Sequence, residues 1–223
     1  MAERKRIVTA MLDSECYQTK PDTRETAYIT GRLKRDSPTT MLVQDFAQAV
    51  ADGRTFCCGC FERDPSVTFG HSRFMGQQLF VLDFDNMTEV LDADGKPLKD
   101  STGHVVKRSL MPHEDGHLDP WMALSRFREK FGQFPTMLYP SMSFNFGGTT
   151  ADLSDPDTRM KYRLVVDAGR LIADVAQAGR YIAKLLRVFP EADPSCAKPS
   201  RLFFGAQGKA VLYGDEGAWY FHG

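Results

Sequence analysis

An apolar run that ends in two carboxylates constrains the fold of this chain more than any other feature. Residues 77–85 read QQLFVLDFD, which is typical of a buried β-strand. Because side chains alternate between the faces of a strand, Asp83 and Asp85 are predicted to project from the same side. Adjacent carboxylates repel each other unless a cation lies between them. The pair therefore favours a site for a hard divalent cation such as Mg²⁺, with a simply solvated strand end as the alternative.

Helical and extended patterns alternate along the rest of the chain. Further strands are predicted at residues 55–61, 136–143, 161–167, 201–206, 209–213 and 218–221. Helices are predicted from residue 37 to Gly53, from the Asp119-Pro120 pair to Gly132, and from about residue 170 to 188. Residues 92–119 read as a long polar loop. The interleaving indicates an α/β or α+β fold, with a polar N-terminal segment (residues 1–36) packed on a main domain (residues 37–223).

Composition and charge favour a soluble cytoplasmic protein. The 223 residues carry 28 Lys and Arg against 29 Asp and Glu, so no global field attracts nucleic acid or anionic lipid. The charges are nevertheless segregated, with acidic residues dominating 83–119 and basic residues dominating 159–209. No apolar run is long enough to cross a membrane, and the N-terminus lacks the apolar core of a signal peptide. Five cysteines, three of them within residues 57–60, are better explained as reduced thiols than as a disulfide framework.

Three short motifs follow one another in a fixed order. The first is the Asp83-x-Asp85 strand end. The second is a strand at residues 138–144 (LYPSMSF), followed after a loop by residues 161–166 (KYRLVV). The third joins Asp193 to the strand at residues 201–205 (RLFFG). Taken alone, Asp193 reads as a turn residue, because Asp-Pro is a good turn dipeptide.

In this order the motifs resemble those of the archaeo-eukaryotic primase superfamily, specifically the primase-polymerases of plasmids, phages and other mobile elements. The resemblance extends over residues 40–206. It implies an α+β catalytic domain with an RRM-like, mixed or antiparallel sheet and flanking helices. It also implies a metal-dependent nucleotidyltransferase that synthesises or extends primers on single-stranded DNA template during DNA replication. The implied partners are an NTP or dNTP, template and primer, and a replicative helicase, in trans or on a longer parent chain.

The resemblance also assigns roles to individual residues. The implied catalytic residues, which would hold Mg²⁺ or Mn²⁺ in a two-metal mechanism, are Asp83, Asp85 and Asp193. The implied nucleotide-binding residues are Ser141, Ser143, Lys161, Arg163 and Arg201. One departure affects this assignment, because Phe144 stands where the family has a histidine, and a phenyl ring cannot donate a hydrogen bond to phosphate. A non-catalytic, nucleic-acid-binding relative is therefore the alternative.

A different motif indicates a third possibility. Residues 113–117 (HEDGH) match the H-E-x-x-H pattern of zinc metallopeptidases. That chemistry requires His113 and His117 on one face of a stable helix. Pro112, Gly116 and the polar flanks disfavour such a helix, so a histidine-rich loop is predicted and a zinc peptidase remains a remote alternative.

Cys57 and Cys60 have the CxxC spacing of a metal site, and His71 could add a third ligand. A structural zinc site needs four ligands, and the chain has no second CxxC pair. These cysteines are therefore predicted to be small apolar residues of a strand.

Overall fold

The computed structural model describes residues 6–64, 66, 72–110, 114–141, 161–206, 210–213 and 219–222. The helices are α1 (Thr23–Leu33), α2 (Val43–Ala51), α3 (Pro120–Phe131) and α4 (Val175–Val188), with a short 3₁₀ turn at Pro194–Ala197. The strands are β1 (Ile7–Cys16), β2 (Thr39–Leu42), β3 (Arg54–Cys57), β4 (Gly59–Phe61), β5 (Phe74–Phe84), β6 (Met87–Glu89), β7 (Lys107–Ser109), β8 (Met137–Pro140), β9 (Tyr162–Ile172), β10 (Leu202–Phe203), β11 (Ala210–Tyr213) and β12 (Trp219–His222). Every strand pairing among the described residues is antiparallel, which makes the fold α+β.

Two sheets form the frame of the molecule. The larger has six strands in the order β12-β11-β8-β9-β5-β4, and the smaller has four in the order β10-β3-β1-β2. The long strands β5 and β9 pair so that Asp83 lies opposite Arg163. Tyr139 of β8 lies opposite Arg163 on its other side. The strand register thus places a carboxylate, a guanidinium and a phenol in one row across the large sheet.

One large apolar cluster contains side chains from both sheets and from α2, α3 and α4. Strand β5 contributes five residues from both of its faces to this cluster, Leu79, Phe80, Val81, Leu82 and Phe84, each at most 2% exposed. Both faces of β5 are therefore buried, which explains why its sequence is a continuous apolar run rather than an alternating one. Burial of each such side chain contributes about 1.5–3 kcal/mol.

Helix α3 begins and ends at the residues from which its ends were predicted. The Asp119 side chain accepts hydrogen bonds from two backbone N–H groups of the first turn, and Pro120 occupies the first helical position. Gly132 ends the helix with φ 68°, a left-handed conformation that favours glycine. The predicted helix at this position is confirmed.

Helix α4 begins later than predicted. Asp174 caps it by accepting the Gln177 N–H at 2.6 Å, and residues 170–172 belong to β9. The prediction of a helix from residue 170 is therefore wrong by about one turn, because cross-strand pairing extends β9 beyond its apolar part. No helix in the described part of the chain is long and apolar enough to span a membrane.

The N-terminal part of the chain departs most from the predictions. No element was predicted in residues 1–36, yet β1 and α1 lie there, and β1 is an inner strand of the small sheet. The helix predicted from residue 37 begins at Val43, because Thr39–Leu42 pairs with β1 as strand β2. The strand predicted over 55–61 is divided into β3 and β4, which belong to different sheets. The predicted polar loop at 92–119 carries β7, which pairs with β6.

Candidate functional site

The end of β5 separates the two carboxylates of the first motif. The strand stops at Phe84, and the chain turns at Asn86, whose φ of 45° is left-handed. The Asn86 amide holds this turn by donating to the Leu118 carbonyl and accepting from the Leu118 N–H. Asp83, inside the strand, is 3% exposed, whereas the Asp85 side chain, beyond the end of the strand, is 49% exposed. The predicted same-side pair is thus divided between the interior and the surface.

Asp83 is the centre of a buried ion-pair network. Arg163 donates from Nε to Oδ1 at 3.0 Å, and Arg201 donates from Nη2 to Oδ2 at 2.6 Å. Each carboxylate oxygen therefore has its own guanidinium partner. A buried carboxylate is costly unless it is paired and hydrogen-bonded, so these contacts are what stabilise Asp83 in the interior.

Arg163 is held in place by its neighbours as well as by Asp83. It is 7% exposed and donates from Nη1 to the Phe204 carbonyl at 2.6 Å. Its guanidinium carbon lies 5.6 Å from the centre of the Tyr139 ring, and Ser141 Oγ lies 3.5 Å from Nη2. Burial raises the pKa of Tyr139, which keeps the phenol neutral. Arg163 is thus a fixed cation.

Arg201 connects the first motif to the third. Besides binding Asp83, it donates from Nη1 to Asp193 Oδ2 at 2.7 Å, contacts Ser195 Oγ, and packs on the Phe203 ring at 5.3 Å. The backbone N–H of Asp193 also donates to the Asp83 carbonyl at 2.8 Å. The turn around Asp193 is therefore fastened to the end of β5 by both side chain and backbone.

The environment of Asp193 favours its charged form. Partial burial raises the pKa of this carboxyl group, but hydrogen bonds from the Ser195 N–H and side chain and the charge of Arg201 outweigh it. The net result is a pKa below the ordinary value. Asp193 thus behaves as a capped, paired carboxylate.

A cleft of about 400 Å³ lies beside this network. Asp85 and Lys161 line it and form an ion pair, with Nζ and Oδ1 2.9 Å apart. Its other described lining residues are Asn86, Met87, Lys107, Leu110, Gly116 and residues 190–194, which include Asp193. Asp83 is not among the described residues of the lining. The cleft therefore carries carboxylates and lysines together.

The residues assigned from the three motifs fall into two contacting groups. Asp83, Asp193, Ser141, Arg163 and Arg201 form the buried network, and Asp85 with Lys161 forms the pair at the cleft. Ser143 and Phe144 lie outside the described residues, so the nucleotide-binding role of Ser143 and the effect of Phe144 stay predictions.

Sequence reasoning missed the aromatic and backbone groups that hold the arginines. Tyr139 and Phe203 flank the two guanidinium groups, and the Phe204 carbonyl accepts from Arg163. Tyr139 lies within the second motif, so its position opposite Arg163 could have been found by aligning the two predicted strands. The Phe204 carbonyl has no signal in the sequence.

The residues of the H-E-x-x-H pattern that the structure describes do not form a helix. Residues 114–119 precede α3 in turns and irregular chain, and His113 lies outside the described residues. Glu114, the base in the peptidase reading, accepts from both terminal nitrogens of Arg108 at 2.8 Å. The predicted loop therefore describes this segment better than a metallopeptidase helix does.

The cysteines of the CxxC pattern are buried, free thiols. Cys57, Cys58 and Cys60 are at most 2% exposed, and Cys57 Sγ donates to the Pro199 carbonyl at 3.0 Å. Burial raises the pKa of Cys60 to about 12, so its thiol stays protonated at neutral pH. The prediction of small apolar strand residues is confirmed for Cys57 in β3 and Cys60 in β4, whereas Cys58 lies in the bend between these strands. His71 lies outside the described residues.

The three carboxylates do not fit the metal centre that the resemblance implies. Both oxygens of Asp83 are bound by arginines, and Asp193 is bound by Arg201 and Ser195. Asp85 is paired with Lys161. Within the described ranges, no three His, Cys, Asp or Glu residues are grouped so that they could hold a metal ion. In this arrangement the carboxylates neutralise cationic side chains instead.

Comparisons with protein-family models, with curated proteins and with solved structures gave no match to this chain.

Proposed function

We propose that this chain is a nucleotidyltransferase of the primase-polymerase type, which synthesises or extends primers on single-stranded DNA from NTPs or dNTPs. One observation carries the proposal. Asp83 binds Arg163, 80 residues away in sequence, and Arg201, 118 residues away. Residues of the second and third motifs therefore bind the Asp83 carboxylate of the first motif, although the sequence related the three motifs only through the family resemblance. The RRM-like catalytic core and a helicase partner belong to the same proposal.

The chemistry of the site supports a phosphate ligand at the cleft. Lys161 and Lys107 line the cleft, and the Arg201 side chain beside it is 20% exposed. A triphosphate requires such cationic donors, with lysine acting as a point charge and arginine as a forked donor. Arg163 is too deeply buried to reach an incoming ligand directly, so in the proposal it positions Asp83, and through it Arg201.

The experiment is template-dependent nucleotide incorporation. The purified chain is incubated with single-stranded DNA and labelled NTPs or dNTPs, with Mg²⁺, Mn²⁺ or chelator, and the products are separated on a denaturing gel. We expect extended products that the chelator abolishes, because the nucleoside triphosphate carries its divalent ion on its own phosphates. A Lys161→Gln variant should raise the KM for nucleotide, whereas a control at the exposed Lys99, Lys99→Gln, should not. No product with either metal ion would overturn the proposal.

A second candidate is favoured by the pairing of the carboxylates. Because each of them is bound by a basic side chain, the site is also compatible with a non-catalytic relative that binds nucleic acid without turnover. A parallel incubation with end-labelled template, analysed on a native gel, separates the two functions. Retention of the labelled template by the protein without extended product in the first assay would select the binding protein.

A further inference from the structure

Helix α4 carries a basic face that the site does not use. Its 14 residues contain no Asp or Glu. Arg180, Lys184 and Arg187 are exposed, and their spacing of four and three residues puts them on one side of the helix. The opposite side packs into the core through Ala178, Ile182 and Leu185.

The positive charge of this face has no counter-ion among the residues that the structure describes. None of the three side chains has an ion-pair partner in the part of the chain that the structure describes. The carboxylates that flank α4 in the sequence are engaged elsewhere. Asp174 caps the N-terminus of α4, Glu191 binds Arg126 at 2.8 Å, and Asp193 binds Arg201 at 2.7 Å.

Helix stability does not account for the arrangement. A cation in the last turn, such as Arg187, interacts favourably with the helix dipole. Arg180 lies in the second turn, outside the range of that effect, and like charges four residues apart, as in Arg180 and Lys184, repel each other. An external anion would relieve this repulsion.

The C-terminal end of α4 lies next to the proposed site in the chain. Helix α4 ends at Val188, and residues 190–194, which follow directly, line the cleft. At 1.5 Å per residue, the seven steps from Arg180 to Arg187 cover about 10 Å, which is long enough to contact successive phosphates of an extended strand.

We propose that the α4 basic face, formed by Arg180, Lys184 and Arg187, binds the phosphate backbone of the DNA template strand that enters the cleft. The choice of DNA as the polyanion rests on the proposed function. Contacts of this kind are sequence-independent, and each releases counterions, which makes binding steeply dependent on salt.

The test is the salt dependence of DNA binding. Binding of a labelled, mixed-sequence single-stranded oligonucleotide is measured by fluorescence anisotropy over a range of NaCl concentrations. The variant is Arg180→Gln/Lys184→Gln/Arg187→Gln. Three lost phosphate contacts should make the slope of log K against log [salt] shallower by about 2, at about 0.7 per contact.

A matched control changes the same charge at another place. Lys20→Gln/Lys96→Gln/Lys99→Gln removes three exposed lysines that lie outside α4, and it should keep the wild-type slope. Equal slopes in both triple variants would overturn the inference, as would α4-dependent binding to vesicles containing phosphatidylserine without binding to DNA.

The outcomes for this face and for the proposed function are distinguishable. If the chain extends primers while the α4 variant keeps the wild-type slope, only the inference fails. If DNA binding requires α4 but no nucleotide is incorporated, the inference stands and the enzymatic proposal fails.

Discussion

Asp83 balances more buried charge than any other residue of the site. Its two oxygens are bound by two arginines, and the Arg163 side chain it balances is 8% exposed. Arg163 therefore has little access to water if its counter-charge is removed. The cost of leaving a buried charge uncompensated exceeds the net benefit of the pair.

Replacing Asp83 by Asn should therefore destabilise the fold strongly. An amide keeps the shape but removes the charge, so we expect the free energy of unfolding to fall by about 3–5 kcal/mol. Urea denaturation followed by circular dichroism measures this loss. The half-exposed Asp85 offers a matched control, because Asp85→Asn removes one surface ion pair and should change stability by less than about 1 kcal/mol. Similar losses in both variants would contradict this account of the network.

Asp193 makes a pH-dependent contribution whose sign follows from its lowered pKa. Because the pKa is lower in the folded chain than in the unfolded chain, the contribution is present above the unfolded value of about 3.9. It is lost as the pH falls through the folded pKa. The stability difference between the wild type and Asp193→Asn should thus be constant near neutral pH and shrink at acidic pH. Urea titrations at several pH values measure it, and a difference that grows on acidification would refute the assignment.

At the scale of elements, close backbone approach fixes how the third motif meets the rest of the fold. A Cβ atom on Gly205 would lie 2.6 Å from the Val50 carbonyl oxygen and 2.8 Å from that of Arg54. These contacts join the chain after β10 to α2 and β3. Backbone atoms cannot move aside as a flexible side chain would, so only glycine fits without a shift.

Two glycine substitutions with opposite signs test this packing. Gly205→Ala should destabilise the protein by about 1–3 kcal/mol, because it overpacks a backbone contact. Gly179→Ala, in α4 with open space around its Cβ position, should stabilise it by about 0.5–1 kcal/mol through helix propensity. Thermal unfolding of both variants gives the comparison. A neutral Gly205→Ala would show that the junction can shift freely.

Elements with strong local signals were predictable from the sequence. Helix α3 has a capping Asp119, Pro120 in its first turn and Gly132 at its end, and β5 has a continuous apolar run. Strand β1 has no such signal, because Asp13 interrupts it. Asp13 is nonetheless buried, paired with Arg32, which donates to both its oxygens at 2.6 and 2.9 Å. In the sequence alone, the charged residues of a buried ion pair cannot be distinguished from charged residues on the surface.

The residues of the candidate site were predictable from the sequence, but the contacts between them were not. The motif order singled out Asp83, Arg163, Asp193 and Arg201 without revealing that they bind one another. Their pairing depends on the register between β5 and β9 and on the return of the chain at 201–204, which are long-range properties. The division of the predicted strand into β3 and β4 was unpredictable for the same reason. Gly59 at their junction lies against the carbonyl of Pro199, which is distant in sequence.

For the molecule as a whole, a net charge of −1 conceals two separate arrangements. In the site, carboxylates and basic groups are paired with each other. On α4, basic groups stand without described partners. The low net charge of the chain argues against tight, non-specific binding of nucleic acid over its whole surface. It is compatible with binding of a polyanion to a local basic surface.

The central claim is that the cleft beside Asp83 is a nucleotidyl-transfer site, and the rate of template-dependent nucleotide incorporation tests it most directly. The decisive comparison is between the wild type, Lys161→Gln in the cleft, and Lys99→Gln on the surface, because both variants remove one lysine charge. We predict incorporation by the wild type and Lys99→Gln, and a loss of about 100-fold at nucleotide concentrations below KM in Lys161→Gln, the size expected when a cation that stabilises charge on a transferring phosphoryl group is removed. Equal rates in all three proteins, or no incorporation by the wild type with Mg²⁺ or Mn²⁺, would contradict the claim.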